Sequence, residues 1–169
     1  MAHALTMKPK LLDHPPADVG RLAQVERLYE LTRHLHGTLE PRAALHQLVQ
    51  EAVAMLGASS GSLALRNPTT GLLEIEASEG LPAEGAALKL RLDEGITGWV
   101  VREGRPVRVA DVSSDDRYVI ARTGIRAEMA VPLLLEGEIR GVLNVDAETH
   151  DAFSAADQAL LEELAGHAT

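Results

Sequence analysis

Apolar residues recur at helical spacing over two consecutive stretches in the first third of the chain. From Gly20 onwards, steps of three and four residues connect Leu22, Val25, Leu28, Tyr29, Thr32, Leu35 and Leu39. A second helix is predicted from about Glu40, with Pro41 in its first turn, where a missing N–H costs nothing. Its apolar face consists of Leu45, Leu48, Val49, Ala52, Val53 and Leu56. Gly57 is a natural end for this helix.

Alternation of apolar and polar residues replaces the helical spacing after this point. A short strand is predicted over Ser62–Arg66, followed by a turn at the sequence NPTTG. The sequence LLEIEAS then alternates in the manner of a half-buried antiparallel strand, and Leu88, Leu90 and Leu92 alternate again. These segments predict an antiparallel sheet.

The second half of the chain adds a short helix, a hairpin and a final helix. The sequence DEGITGWVVREG predicts a short helix bounded by glycines, and a further strand starts at Val107 and Val109. The sequences MAVPLLL and IRGVLNVD, joined through Glu136-Gly137, predict a hairpin. Ser154 and Asp157 have the spacing of a capping box at the start of the last helix. The order predicts an α+β fold, with helices on one face of an antiparallel sheet.

Size and composition fit one soluble domain. The chain has 169 residues, of which 46% are hydrophobic and only 2% aromatic, so its core must be aliphatic. The formal net charge of −9 argues against nucleic acid as a partner, because phosphate contacts need clustered lysines and arginines. We interpret residues 1–19 as a flexible lead-in and residues 20–169 as the domain. Without a signal peptide or membrane-spanning stretch, we expect a cytoplasmic protein with no membrane partner.

The chain contains no cysteine, which excludes thiolate nucleophiles, disulfides and cysteine-based metal or chromophore sites. The sequence Gly57-Ala58-Ser59-Ser60-Gly61 matches the G-x-S-x-G pattern of hydrolases, whose serine lies on a strand-to-helix turn. Here the predicted order is helix then strand, so we interpret the motif as a helix end and a loop. His34 and His36 are about 200° apart around a helix and cannot share one metal ion. We therefore expect neither a metal nor a cofactor.

The stretch from Leu90 to Asp146 contains a glycine-punctuated helical turn, a valine-rich strand, an acidic loop and a strand hairpin in one order. With its flanking segments it resembles the GAF domain, a small sensory module of signalling proteins. The resemblance covers roughly Leu28 to the C-terminus. It implies helices on one face of an antiparallel sheet, with a short helix and loops over the other face. In GAF proteins the last helix usually continues into an output domain, so we expect an excised module, with a naturally free-standing domain as the alternative.

The resemblance also implies where a ligand lies, between the sheet and the loops that cover it. Mapped onto this sequence, the polar candidates are Asp111, Tyr118, Glu128, Asn144 and Asp146. Trp99 is a further candidate wall of the site, or alternatively a core anchor in a chain poor in aromatic residues. The acidic residues Glu128 and Asp146 lie on otherwise aliphatic strands, which predicts either a pocket for a cationic or amine group, or structural partners such as a neighbouring arginine.

GAF subtypes can be tested on residues. Free methionine sulfoxide reductases share acidic residues that Glu128 and Asp146 echo, but their reaction requires a thiolate. Cyclic-nucleotide GAF domains carry an Asn-Lys pair followed by Phe and Asp-Glu. Here Phe153 and Asp157 occur, but Gln158 replaces the glutamate and no lysine follows Asn144. Haem-binding members place a histidine before the MAVP-type strand, where this chain has none.

We therefore predict a regulatory sensor domain without catalytic residues. It would bind a small molecule and transmit the change through its terminal helices in a homodimer, whose seam the predicted first helix would supply. One alternative is a dimerisation or interaction module that binds no ligand, and another is a cyclic-nucleotide-binding domain.

Overall fold

In the computed structural model, residues 41–167 are described, and they form one six-stranded antiparallel sheet with helices on both faces. The first described helix, α1, is Pro41–Leu56. It ends at the predicted stop, since Gly57 has a φ of 60°. The predicted lead-in, the predicted helix from Gly20, and both His34 and His36 lie outside the described residues.

The first three strands form one half of the sheet. They are β1 (Ser60–Arg66), β2 (Leu73–Glu79) and β3 (Lys89–Leu90). The alternation at Leu88, Leu90 and Leu92 thus yields only a two-residue strand. A four-residue helix, α2 (Ala83–Ala86), precedes β3 and was not predicted from the sequence.

The remaining elements complete the sheet and cover it. They are α3 (Gly95–Glu103), β4 (Val107–Val109), a 3₁₀ turn at Val112–Ser114, β5 (Ala127–Leu135), β6 (Glu138–Ala147) and α4 (Ala155–Gly166). All paired strands are antiparallel, in the order β3-β2-β1-β6-β5-β4. Long strands β1, β6 and β5 lie at the centre, where both faces are buried.

Two local predictions are confirmed in detail. The β5–β6 hairpin turns at Glu136 and Gly137, which have φ values of 53° and 80°. Positive φ at both central residues defines the type I′ turn that suits the twist of a hairpin. The capping box is present as well: the Ser154 side chain accepts from the Asp157 N–H, and the Asp157 carboxylate accepts from the Ser154 N–H.

Each face of the sheet has its own aliphatic core. On one face α1 and α4 pack over residues that include Val49, Leu63, Met129, Leu143, Val145, Leu161 and Leu164. On the other face α3 packs over residues that include Ala64, Leu73, Ile96, Val100, Ala130 and Val142. The arrangement confirms the predicted α+β fold, with terminal helices on one face and a short helix with loops on the other.

Candidate functional site

Three neighbouring strands carry a row of buried polar side chains on the face opposite α1 and α4. Strand pairing places Glu128 of β5 directly opposite Asp146 of β6, and Asp146 directly opposite Ser60 of β1. One step further along, Asn144 lies opposite Ser62. The exposed fractions are 5% for Glu128, 6% for Asp146 and 7% for Asn144. A sheet face that is otherwise aliphatic thus has a polar end.

Hydrogen bonds along this row converge on Asp146. The Ser60 Oγ donates to Asp146 Oδ2 over 3.1 Å, and Asn144 Nδ2 donates to Asp146 Oδ1 over 3.4 Å. Asn144 is oriented in turn by Ser62, whose Oγ donates to its Oδ1 over 2.5 Å. Within residues 41–167 the Glu128 carboxylate receives neither a hydrogen bond nor an ion pair. The two carboxylates are therefore neighbours in very different surroundings.

A cavity with a free volume of about 50 Å³ lies over the polar row. Its polar end is lined by Ser62, Tyr118, Arg122, Glu128, Asn144 and Asp146. Its apolar walls include Leu73, Ile75, Leu81, Leu88, Leu90 and Ile96. One water molecule needs roughly 10–15 Å³ of space open to its centre, so a cavity of this volume admits a few water molecules or a ligand of similar size.

Burial disfavours charge on both carboxylates, and repulsion from Asp146 adds to this at Glu128. Burial, followed by the charges of Asp146 and Asp115, raises the pKa of Glu128 well above its ordinary value, and Arg117 opposes the shift only in part. Burial also raises the pKa of Asp146 to about 6, although Ser60, Asn144 and Arg122 favour its charged form. Burial and the two carboxylates raise the pKa of Tyr118 to about 12. The surroundings thus favour the protonated form of each acid, most of all of Glu128.

The covering segment, residues 115–125, closes the cavity from above. At one end the Arg117 guanidinium binds the Asp115 carboxylate through two N–H···O contacts, of 2.9 and 2.6 Å. The same guanidinium lies 4.6 Å from the ring centroid of Trp99 in α3, within cation–π distance. At the other end Arg122 donates to the Ser59 carbonyl oxygen over 2.8 Å and pairs with Glu148. The segment is therefore anchored on both sides of the cavity.

Of the six residues predicted for the site, the structure brings four together around the cavity: Tyr118, Glu128, Asn144 and Asp146. Asp111 lies elsewhere, because its carboxylate accepts from the Ser113 N–H at 3.0 Å and caps the 3₁₀ turn. Trp99 does not line the cavity either. It packs at the edge of the second core, between Arg117 and Arg105 at 4.6 and 5.5 Å. Trp99 is linked to the site through its contact with Arg117 of the covering segment.

Sequence reasoning missed Ser60, Ser62 and Arg122. The two serines alternate at the start of β1, which is a detectable pattern of period two. Their importance, however, comes from the strand register that sets them opposite Asp146 and Asn144. Arg122 belongs to a loop without regular spacing, and no local signal indicated that it faces the cavity.

The other motifs have structural roles. Ser59 of the G-x-S-x-G match lies between α1 and β1, and its Oγ accepts from the Glu148 N–H over 3.1 Å. His46 contacts Glu79 at 4.0 Å. Among residues 41–167 no group of histidine and acidic side chains could hold a metal ion. No helix in that part of the chain is long and apolar enough to cross a membrane.

The sheet order, the two helix-packed faces and the covered cavity define a small α+β domain with a cavity between its sheet and a covering segment. A model of the GAF domain matches residues 38–169, and the chain belongs to the GAF family. Protein YtsP of Bacillus subtilis is 25% identical over 95 residues, which are 56% of each chain. The Nif-specific regulatory protein of Azospirillum lipoferum is 27% identical over 128 residues, 70% of this chain and 20% of that protein.

Among solved structures, the fold is similar to the free methionine-R-sulfoxide reductase of Neisseria meningitidis in complex with its substrate. The TM-score is 0.77 with 22% identity, and the match covers 99% of this chain and 93% of that one. At this identity the likeness concerns the fold. The chain spans about half the length of YtsP and a fifth of the Nif-specific regulator.

Proposed function

We propose that this domain is a regulatory module that binds a small molecule carrying an ammonium group, with Glu128 and Asp146 as the acceptors for that group. The observation that carries the proposal is the Glu128 carboxylate. Only 5% of this residue is exposed, yet its carboxylate has no hydrogen-bond partner among the described residues. Among the described residues no fully buried side-chain oxygen or nitrogen lacks a hydrogen bond, so the Glu128 carboxylate is open to the cavity. A charged carboxylate in so buried a place is costly without a compensating group, and the cavity is where such a group would bind.

An ammonium group matches the cavity in both charge and shape. Two carboxylates at the polar end supply negative charge, and the Ser62–Asn144 pair adds polar atoms beside them. The aliphatic walls opposite suit a short hydrocarbon tail. The structural alternative, a neighbouring arginine paired with Glu128, is not favoured, because Arg117 is committed to Asp115.

The proposal includes no catalysis. The likeness to sulfoxide reductases supports a pocket for a small polar molecule, but thiolate chemistry has no nucleophile in a chain without cysteine. The serine of the G-x-S-x-G match supports the same proposal, since its hydroxyl is used as a structural acceptor.

A regulatory role is supported by the relation to the Nif-specific regulatory protein. The structure also offers a route for a signal. Arg122 of the covering segment binds the carbonyl oxygen of Ser59, in the turn that directly follows α1. A ligand that moves the covering segment would therefore also shift the C-terminal end of α1. We propose that terminal helices carry this change onward in a homodimer.

The two alternative functions are less well supported. The polar end of the cavity carries two carboxylates, Glu128 and Asp146, which disfavours the phosphate of a cyclic nucleotide. A module that binds no ligand would leave the buried Glu128 carboxylate, which has no partner among residues 41–167, without a group that offsets its burial.

The test is a thermal-shift titration with ethylammonium chloride and, in parallel, with ethanol, which has nearly the same size but no charge. Ethylammonium should stabilise the protein by about 2.7 kcal/mol at a hundredfold excess over its dissociation constant, through mass action. Ethanol should not produce this gain. Glu128→Gln should abolish the gain, whereas Glu136→Gln, at the exposed hairpin turn, should keep it. Equal gains in Glu128→Gln and wild type would overturn the proposal.

A further inference from the structure

We propose that Glu128 exchanges a proton for the cation of the ligand: the empty site holds a proton on Glu128, and the filled site holds an ammonium group and has released that proton. The inference rests on the proposed function and adds to it a coupling between ligand binding and pH. It also assigns different roles to the two carboxylates of the cavity.

The first step is the position of the two acids. Glu128 and Asp146 form a direct cross-strand pair between β5 and β6, with both side chains on the covered face. Directly opposed side chains have Cβ atoms about 4.5–5.5 Å apart, so two negative charges there repel strongly in a buried setting. Neither acid has an ion pair within residues 41–167 that would cancel its charge. The empty pair is therefore expected to keep one proton.

The second step decides which acid keeps it. Asp146 accepts hydrogen bonds from Ser60 and Asn144, and the positive charge of Arg122 also favours its ionised form. Glu128 accepts no hydrogen bond from any residue between 41 and 167. Hydrogen bonds donated to a carboxylate stabilise its charged form, so Asp146 stays ionised and the shared proton lies on Glu128.

The third step considers the charges that face Glu128 from the covering segment. Asp115 raises the pKa of Glu128 and Arg117 lowers it, and these two side chains are bound to each other, so their effects on Glu128 largely offset. Tyr118 also faces the pair but is neutral over the relevant range, because its pKa is raised to about 12. From β6 the facing charge is Asp146. The environment therefore leaves the proton on Glu128.

The exchange balances in charge and atoms. The O–H bond of the Glu128 carboxylic acid breaks and its proton passes to solvent. The electron pair stays on the carboxylate, which then accepts a hydrogen bond from the ligand ammonium. The cavity has the same net charge before and after. A ligand without a positive charge cannot replace the proton in this way.

The experiment combines carboxyl ¹³C NMR on the empty protein with calorimetry of ethylammonium binding in two buffers of different ionisation enthalpy. Glu128→Gln and Asp146→Asn identify the two carboxyl resonances. Near pH 7, above the pKa of about 6 of Asp146, the Glu128 resonance should have the protonated position and the Asp146 resonance the ionised one. Ethylammonium should move the Glu128 resonance to the ionised position and release about one proton. At pH values below the pKa of Glu128, the affinity for ethylammonium should therefore increase about tenfold for each unit by which the pH is raised.

Ser60→Ala supplies a matched variant that keeps the buried packing while removing one donor to Asp146. It should shift part of the proton from Glu128 to Asp146 in the NMR titration. Should Asp146→Asn fail to fold, Ser60→Ala also distinguishes the two resonances. An ionised Glu128 beside a protonated Asp146, or ethylammonium binding without proton release, would overturn the exchange and leave the proposed function standing. Failure of ethylammonium to bind at any pH would overturn both.

Discussion

Glu128 and Asp146 illustrate how two acids of nearly equal chemistry acquire different properties through single neighbours. Both are more than nine-tenths buried, and they face each other across one strand pair. One serine and one asparagine donate to Asp146, whereas no side chain in the described part of the chain donates to Glu128. At the scale of residues, the properties of the site therefore depend on where donors are placed.

The first consequence at this scale is a pH dependence of stability. Folding raises the pKa of both acids, that of Asp146 from 3.8 to about 6 and that of Glu128 well above its ordinary value. Because the folded protein binds these protons more tightly, the contribution of the pair to stability is highest below the unfolded pKa values. It falls as the pH rises through the folded values. Glu128→Gln should therefore stabilise the ligand-free domain at pH 7, by on the order of 1–3 kcal/mol.

Urea unfolding at pH 4, 5, 6 and 7 measures this effect. The advantage of Glu128→Gln over wild type should shrink towards pH 4, where the acid is protonated in both states. Glu136→Gln serves as the exposed control and should show no comparable trend. A Glu128→Gln variant that is less stable than wild type at pH 7 would indicate a structural partner for this carboxylate.

At the scale of elements, the cavity depends on how closely the short helix α2 approaches the covering segment. Gly85 of α2 is buried, and a Cβ at this position would overlap the carbonyl oxygen of Ala121, next to Arg122. Backbone cannot move aside as easily as a flexible side chain. The glycine thus sets the distance between α2 and the segment that closes the site.

Gly85→Ala should destabilise the domain by about 1–3 kcal/mol, as overpacking does, and should weaken ethylammonium binding by displacing Arg122 and Tyr118. Thermal unfolding and the same calorimetric titration provide the two measurements. Gly166→Ala in α4 is the matched control, because a Cβ there meets nothing within 4 Å. Its effect should be neutral or slightly stabilising. Unchanged ligand affinity in Gly85→Ala would show that α2 does not position the covering segment.

At the scale of the whole molecule, the signal would need two copies of the chain. The apolar seam predicted for the first helix, which includes Leu28 and Leu35, lies outside the described residues, and dimerisation stays a prediction. Replacing both leucines with glutamate should convert a dimer into folded monomers, because charge is expensive in an apolar seam.

Sedimentation velocity, with circular dichroism as a check of folding, tests this prediction. The pair Arg27→Glu and His34→Glu has the same spacing one position away from the seam and should leave the dimer intact. A wild-type protein that is already monomeric at high concentration would remove the dimer from the proposed function.

Local patterns in the sequence were sufficient for the longer elements and for the fold class. The glycine after α1, the Glu136-Gly137 turn and the Ser154–Asp157 box act within a few residues of themselves, so their consequences can be derived without knowing the fold. The short helix α2 and the brevity of β3 were missed, since four-residue and two-residue elements have too few positions to show a period.

The composition of the site was decided by tertiary structure. Glu128, Asn144 and Asp146 could be identified as unusual because polar residues interrupt apolar strands. Ser60 donates to Asp146, which is 86 residues away in the sequence. This contact follows only from the pairing of β1 with β6. Asp111 and Trp99 satisfy their bonding and packing outside the cavity. The spacing of residues in the sequence determines which face of a helix or strand a side chain occupies. Which other side chains lie against that face depends on the packing of elements that are distant in the sequence.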